Sequence, residues 1–346
     1  MDAIELLKKI IAIPSFSGEE HKVVDLILTT LADYGYIAER KGNNIWVKSR
    51  NFDAAKPTIL MDSHLDTVKP NGNWDTDPFA PTVKEGKLYG LGSNDTGGSI
   101  VSMLSTFLQL ADTEQSFNLI WLGSAEEERA GANGIRSIIE ELGQIDLALI
   151  GEPTDMQAAI AERGLMVVDC LAKGVSGHAA REEGVNAIYE ALADIEWFRN
   201  YQFAKESNLL GKVKMSVTGI NAGSLHNVVP AECQFMVDVR INEHYSNVEV
   251  IEVIQQHIKC EATPRSLTWN SSSIHEEHPI VKRCKELGLT SYGSPTTSNQ
   301  VAIPYTSLKI GPGQSARSHT ANEYIEIKEI EEGIKIFINL LDGFQL

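Results

Sequence analysis

The sequence is short of cationic side chains: 30 Lys and Arg stand against 47 Asp and Glu, a formal charge of -17, and no basic run breaks the imbalance. Phosphate backbones and anionic membranes would be repelled, which removes nucleic acid and membrane surfaces from the expected partners. No stretch approaches the roughly 18 consecutive apolar residues of a membrane span. The N-terminus, MDAIELLKKIIAIPS, carries charges inside its apolar run and lacks a basic leader, so it does not read as a secretion signal. Only Cys170, Cys233, Cys260 and Cys284 occur, with no CxxC pair. They read as buried free thiols of a reducing compartment, neither a disulfide frame nor a zinc cluster, and the expected location is cytoplasmic. The glycines between Gly90 and Gly98 lack both GKS/T and GxGxxG spacing, which leaves a phosphate cradle without support.

What the chain does have is acids and imidazoles at the ends of apolar runs. Ile59, Leu60 and Met61 suit a buried parallel strand, and the polarity changes at Asp62 and Ser63, just before His64. Residues two apart on an extended chain share a side, so His64 and Asp66 can face one pocket at the carboxyl edge of a sheet, where open α/β folds place ligands. A neutral imidazole beside a carboxylate is how proteins hold Zn²⁺, the acid either ligating or fixing the ring tautomer. Asp95 lies at the head of a helix expected over 97–111, among glycines that let the backbone turn closely around a ligand, and is a candidate metal carboxylate. The apolar run 117–123 reads as another buried strand, ending in Glu126, Glu127 and Glu128. Three adjacent acids would repel one another in a dry pocket unless something cationic absorbs their charge. A helix over 133–142 and a strand over 146–150 then lead to Glu152. One such strand end could arise by chance; four argue for a site.

The length of 346 residues suggests two domains, and 42% hydrophobic with 22% charged residues suits a globular protein. Amphipathic spacing predicts helices over 3–13 and 19–34. After Gly164 the order becomes strand 165–172, helix 185–198, strands 212–220 and 233–241, helix 248–258 and strand 261–269, the split βαβ layout of a ferredoxin-like domain. From about Ser273 an α/β rhythm returns, with helix 279–287, strand 307–310 and helix 326–341. The expected organisation is a metal-binding α/β domain, 1–163 and 274–346, interrupted by an inserted α+β module at 164–273.

Taken together, HLD at 64–66, SNDTGG at 93–98, AEEE at 125–128, GEP at 151–153, SGHAA at 176–180 and SHTANE at 318–323 carry a family resemblance over nearly the whole chain. The chain resembles the co-catalytic zinc metallopeptidase and deacylase family that contains carboxypeptidase G, aminoacylase, succinyl-diaminopimelate desuccinylase and acetylornithine deacetylase. The resemblance implies a zinc-exopeptidase-like catalytic domain, with the ferredoxin-like (βαββαβ) insertion serving as a lid and dimerisation domain. It implies two Zn²⁺ per subunit, with Co²⁺ able to substitute. His64, Asp95 and Glu152 would hold one ion. Asp95, a Glu of the triplet and His319 would hold the other, with Asp95 bridging and Asp66 bracing His64. The family usually writes DEE, base second and ligand third, which makes Glu127 the general base and Glu128 the ligand. A register shifted by one would use Glu126 and Glu127 instead; the first is preferred because it keeps the family's distances to Asp95 and Glu152. His178 resembles the lid His that the partner subunit of a homodimer donates to the oxyanion.

The implied reaction is amide hydrolysis, in which paired cations polarise the carbonyl and acidify a water, while Glu127 carries a proton from that water to the leaving amine. Arg163, Asn227, Arg240 and the Gly311-Pro312-Gly313 loop are candidates to hold a substrate carboxylate through guanidinium and N–H donors, and Arg240 equally fits a strand-surface ion pair. The stretch IGPGQSARSHTANEYI most resembles the acetylornithine and acetyl-lysine deacetylase branch. That implies removal of the acyl group from an Nα-acyl amino acid, N-acetylornithine first, with N-succinylornithine and N-acetylcitrulline as variants, in arginine biosynthesis. A dipeptidase, an aminopeptidase or a succinyl-diaminopimelate desuccinylase on the same site is the alternative. A catalytically dead binding module is a third reading, and an intact Glu127 argues against it.

Overall fold

The computed structural model describes residues 1–181 and 183–346. They divide into two units, Met1–Ile160 with Ser273–Tyr292 and Ser298–Leu346, and Ala161–Ser272 with Gly293–Thr297.

In the first unit the apolar runs form the middle of a mixed sheet. Thr58–His64, Asn118–Ser124 and Leu147–Ile150 are buried at every residue, as parallel strands covered on both faces must be. Thr58–His64 runs parallel to Asn118–Ser124 on one side and to Leu147–Ile150 on the other. The register sets His64 level with Ser124, so Ala125 to Glu128 emerge beside the imidazole. The sheet order is Glu39–Lys41, Asn44–Lys48, Asn118–Ser124, Thr58–His64, Leu147–Ile150, Ser307–Lys309 and Ala158–Glu162. Helix Gly98–Leu110 is buried along almost its whole length, between the sheet and helix Ile327–Leu341. Helix Ala3–Ile11 starts where the Asp2 carboxylate accepts the N–H groups of Ile4 and Glu5, a cap contributing about 1 kcal/mol.

The second unit has a four-stranded antiparallel sheet in the order Lys214–Ala222, Glu232–Ile241, Gly164–Lys173, Glu261–Pro264. Helices Ala187–Asn200 and Asn247–His257 complete the βαββαβ order and close a core that includes Val168, Cys170, Phe198, Phe235, Val237 and Ile254.

Some expectations fail locally. The helix expected over 133–142 is a 3₁₀ turn, Ile135–Ile138, followed by a single α turn, Ile139–Leu142, bracketed by Gly134 and Gly143. The strand expected over 261–269 stops at Pro264, which has no N–H to extend a ladder. Ala158–Glu162 is a fully buried strand that its Ala-rich sequence does not announce. Three cysteines are buried as expected, Cys260 is partly exposed, and all four are free. Among the described residues no helix is long and apolar enough to cross a membrane.

Leu60 is fully buried against Ile120, Ala148 and Ile150. Leu60→Ala is expected to cost about 2–5 kcal/mol through lost burial and a residual cavity, read as a fall in the urea midpoint. A shift within error would show that this strand does not support the unit's core.

Candidate metal centre

The site grows from the end of the central strand. His64 is 2% exposed, and its Nδ1 lies 2.8 Å from the backbone carbonyl of Asp66. A carbonyl only accepts, so Nδ1 carries a proton, and Nε2 is the atom left to give its lone pair to a cation. That Nε2 is 3.2 Å from Asp95 Oδ1 and 3.9 Å from Glu152 Oε1. The other oxygen of the same aspartate, Oδ2, is 3.5 Å from His319 Nε2, which also lies 3.0 Å from the Glu128 carboxylate. Among the described residues, two trios therefore gather donor atoms within 4.8 Å of one another: His64, Asp95 and Glu152, and Asp95, Glu128 and His319. Asp95 is common to both.

Asp66 braces more than the imidazole. Its carboxylate accepts the N–H of Glu127 at 3.0 Å, the N–H of Glu128 at 3.1 Å and the hydroxyl of Ser17 at 2.6 Å. Burial alone would raise Asp66, but His64, Ser17 and the Glu127 N–H together hold it below the usual carboxylate range. The three adjacent glutamates consequently separate. Glu126 accepts from the Arg129 guanidinium at 2.6 Å and from the Asn133 side chain at 3.1 Å, turned to a contact set of its own. Glu128 joins His319. Burial and the negative charges of Glu128, Asp66 and Asp95 push Glu127 up to about 8, with His64 opposing them.

Several supports lie outside the motifs. Asn299 Nδ2 donates to Asp62 and to Ser124, both at 2.9 Å, joining the ends of two neighbouring strands. The buried Glu20 carboxylate accepts the N–H groups of Gly18 and Glu126 and the Asn43 amide, so the residue just ahead of helix His21–Asp33 also steadies the glutamate turn. Glu126 and His319 adopt left-handed backbone angles, φ 56° and 58°, uncommon for residues with a Cβ and found where the surroundings impose them. None of these has a local sequence signature, because each depends on segments that meet only in the fold.

The donor set fits divalent cations. Asp66, Asp95, Glu127, Glu128 and Glu152 crowd two imidazoles, and the strain appears in their titration. Burial and Asp95 hold Glu152 well above its usual range, with the His64 and Lys309 charges relieving it only in part. Hydrogen bonding to Glu128 raises His319 to about 9 although partial burial opposes it. Outward-facing imidazole nitrogens among excess carboxylate oxygens suit a borderline ion such as Zn²⁺.

The residues considered for substrate have other partners. Arg163 is buried in the second unit and donates to the carbonyls of Leu210, Lys212 and Arg240. Arg240 forms a two-point pair with Asp238, at 2.8 and 3.1 Å, and also reaches Thr297. Asn227 and His178 are exposed; His178 Nδ1 accepts the Ala180 N–H, and the Asn227 carbonyl accepts that of Ala179. Gly311 donates its N–H to Thr154, and a Cβ there would meet the Glu152 carbonyl oxygen at 2.5 Å. Gly313, at φ 88°, leaves room for Asn94, whose oxygen would lie 2.4 Å from an added Cβ. Both glycines thus serve the backbone around Glu152 and Asp95.

Comparison with known proteins places these motifs. Residues 60–343 match the sequence profile of peptidase family M20/M25/M40. Succinyl-diaminopimelate desuccinylase of Helicobacter pylori is 25% identical, the alignment covering 99% of both chains. Acetylornithine deacetylase of Proteus mirabilis is also 25% identical, covering 99% of this chain and 97% of its own. The crystal structure of a tripeptidase from Staphylococcus aureus superposes with a TM-score of 0.79 at 20% identity, covering 98% of this chain and 96% of that one.

Zinc uptake should displace protons. At pH 7, below the raised values of His319 (about 9) and Glu127 (about 8), both groups hold a proton that a cation expels, so affinity rises with pH. Calorimetry in buffers of different ionisation enthalpy should detect more protons released per zinc at pH 7 than at pH 9. Equal release at the two values would contradict the titration described.

Proposed function

Because the chain belongs to peptidase family M20/M25/M40 and is a hydrolase acting on amide bonds, we propose that it removes the acyl group from an Nα-acyl amino acid, N-acetylornithine first among them. The observation that carries the reading is the pair of trios sharing Asp95, with the buried Glu127 close enough to feel the charges of Asp95 and Glu128. The deacylase names of both full-length relatives favour an acyl-amino-acid substrate over a peptide. N-succinylornithine and N-acetylcitrulline are the next substrates in this reading, and arginine biosynthesis is its setting. The tripeptidase likeness, at 20% identity, bears on the fold alone.

In this reading His64, Asp95 and Glu152 hold one Zn²⁺, and Asp95, Glu128 and His319 hold the second, with Co²⁺ an acceptable substitute. When bound, the cations supply Lewis acidity to the scissile carbonyl, lower the pKa of a water to about 7, and draw Glu127 into its ionised form. The Glu127 carboxylate then accepts a proton from the attacking water and donates it to the leaving amine. Asp66 aims both participants: it holds the His64 segment and receives the backbone N–H of Glu127. The separation of the glutamates supports Glu127 as base and Glu128 as ligand, since Glu126 is committed to Arg129 and Asn133. The second unit is read as a lid and homodimerisation module whose His178 is offered across subunits to the oxyanion, in a cytoplasmic enzyme.

Glu127→Gln is expected to retain two zinc ions by elemental analysis while kcat falls by about 10²- to 10⁴-fold. Undiminished turnover would reject the assigned base. In a rate comparison, N-acetylornithine should exceed succinyl-diaminopimelate and a tripeptide in kcat/KM, and faster tripeptide cleavage would replace deacylation with peptidase activity.

A further inference from the structure

Glu323 lies at the end of the SHTANE motif, is 2% exposed and belongs to neither trio. Its Oε1 accepts the backbone N–H groups of Asn94 at 2.8 Å and Asp95 at 2.9 Å, and its Oε2 accepts that of Gly92 at 3.0 Å. Its own carbonyl accepts the N–H of Gly90 at 3.1 Å. One buried residue therefore closes on the whole Gly90-to-Asp95 loop.

The loop is also anchored by the Leu91 N–H on the Pro78 carbonyl and by Asn94, whose amide donates to the Gln314 carbonyl and accepts the Gln314 N–H, but the main-chain N–H groups of Gly92, Asn94 and Asp95 go to Glu323. Asp95, at φ -117° and ψ 91°, departs from the helical path that begins just after it, so its N–H lacks a place in a regular ladder. A buried N–H without an acceptor is costly, and Glu323 supplies the acceptor. Along the chain Glu323 is tied through three intervening residues to His319. The carbonyl of His319 accepts from Asn71 at 2.8 Å, and Asn322 exchanges two hydrogen bonds with Asp75, both at 2.8 Å. The segment carrying one imidazole is thereby fixed in space and grips the backbone of the shared aspartate.

We propose that Glu323 is a positioning residue, whose carboxylate sets the backbone of Asp95 and couples it to the His319 segment, so that the two trios keep a common member. The inference rests on the reading that these trios hold cations. Three converging N–H donors call for an acceptor with two free oxygens. Glutamine keeps one oxygen and turns an NH₂ toward the remaining donors, while aspartate keeps both oxygens and withdraws them by one methylene.

The test is a Co²⁺ titration of the metal-free full-length protein, wild type and Glu323→Gln, followed by visible absorption and calorimetry, with kcat and KM on N-acetylornithine measured separately. The variant should bind at least one Co²⁺ about 10- to 100-fold more weakly, with an altered absorption spectrum and a lower kcat at nearly constant KM. A variant that melts at a lower temperature yet binds two Co²⁺ with wild-type affinity and spectrum would overturn the proposal and leave Glu323 a purely structural residue. Failure of the wild type itself to bind Co²⁺ would instead remove the reading of the site. Should the glutamine variant not fold, Glu323→Asp is judged by the same affinity and spectrum.

Discussion

A single buried carboxylate, that of Asp66, holds three chain segments in one geometry. It receives a hydroxyl from the N-terminal segment and two successive N–H groups from the glutamate turn, while sitting 3.5 Å from the imidazole two residues before it. Hydrogen bonds to an ionised group contribute about 1.5–3 kcal/mol each, enough together to fix a loop that would otherwise fray. Because those N–H groups belong to Glu127 and Glu128, one carboxylate fixes the backbone of both residues. The arrangement depends on the parallel register of His64 with Ser124; a slip of one residue would reverse every side chain of the strand.

The strand-end acids are legible in the sequence because the apolar-to-polar switch and the two-residue period speak directly about burial and direction. His64, Asp95, Glu128, Glu152 and His319 were all nominated by that logic together with a family likeness, and the fold brings their donor atoms together. The order of elements in the second unit was legible for the same reason, since its strands alternate cleanly: Gly164–Lys173 buries every second side chain. Ala158–Glu162 was not, because alanine carries little strand preference and no alternation exists in a strand covered on both faces.

What escaped the sequence is the second layer of contacts. Ser17 and Asn299 donate to side chains of remote segments, while Glu20 and Glu323 accept remote backbone N–H groups, which leave no trace in the letter of their residue. The arginines are different again. Arg163 donates to three main-chain carbonyls, a demand that no letter in the sequence shows, and Arg240 pairs with the acid two residues before it, one of the two readings its strand position offered.

Gly311 leaves a mark beyond its own turn. With Ser99 Oγ 2.3 Å and the Glu152 carbonyl oxygen 2.5 Å from where a methyl would begin, hereditary drift at this position is sterically barred. A lineage altering its specificity must therefore write the change somewhere other than this glycine, which lets the chain pass behind Glu152.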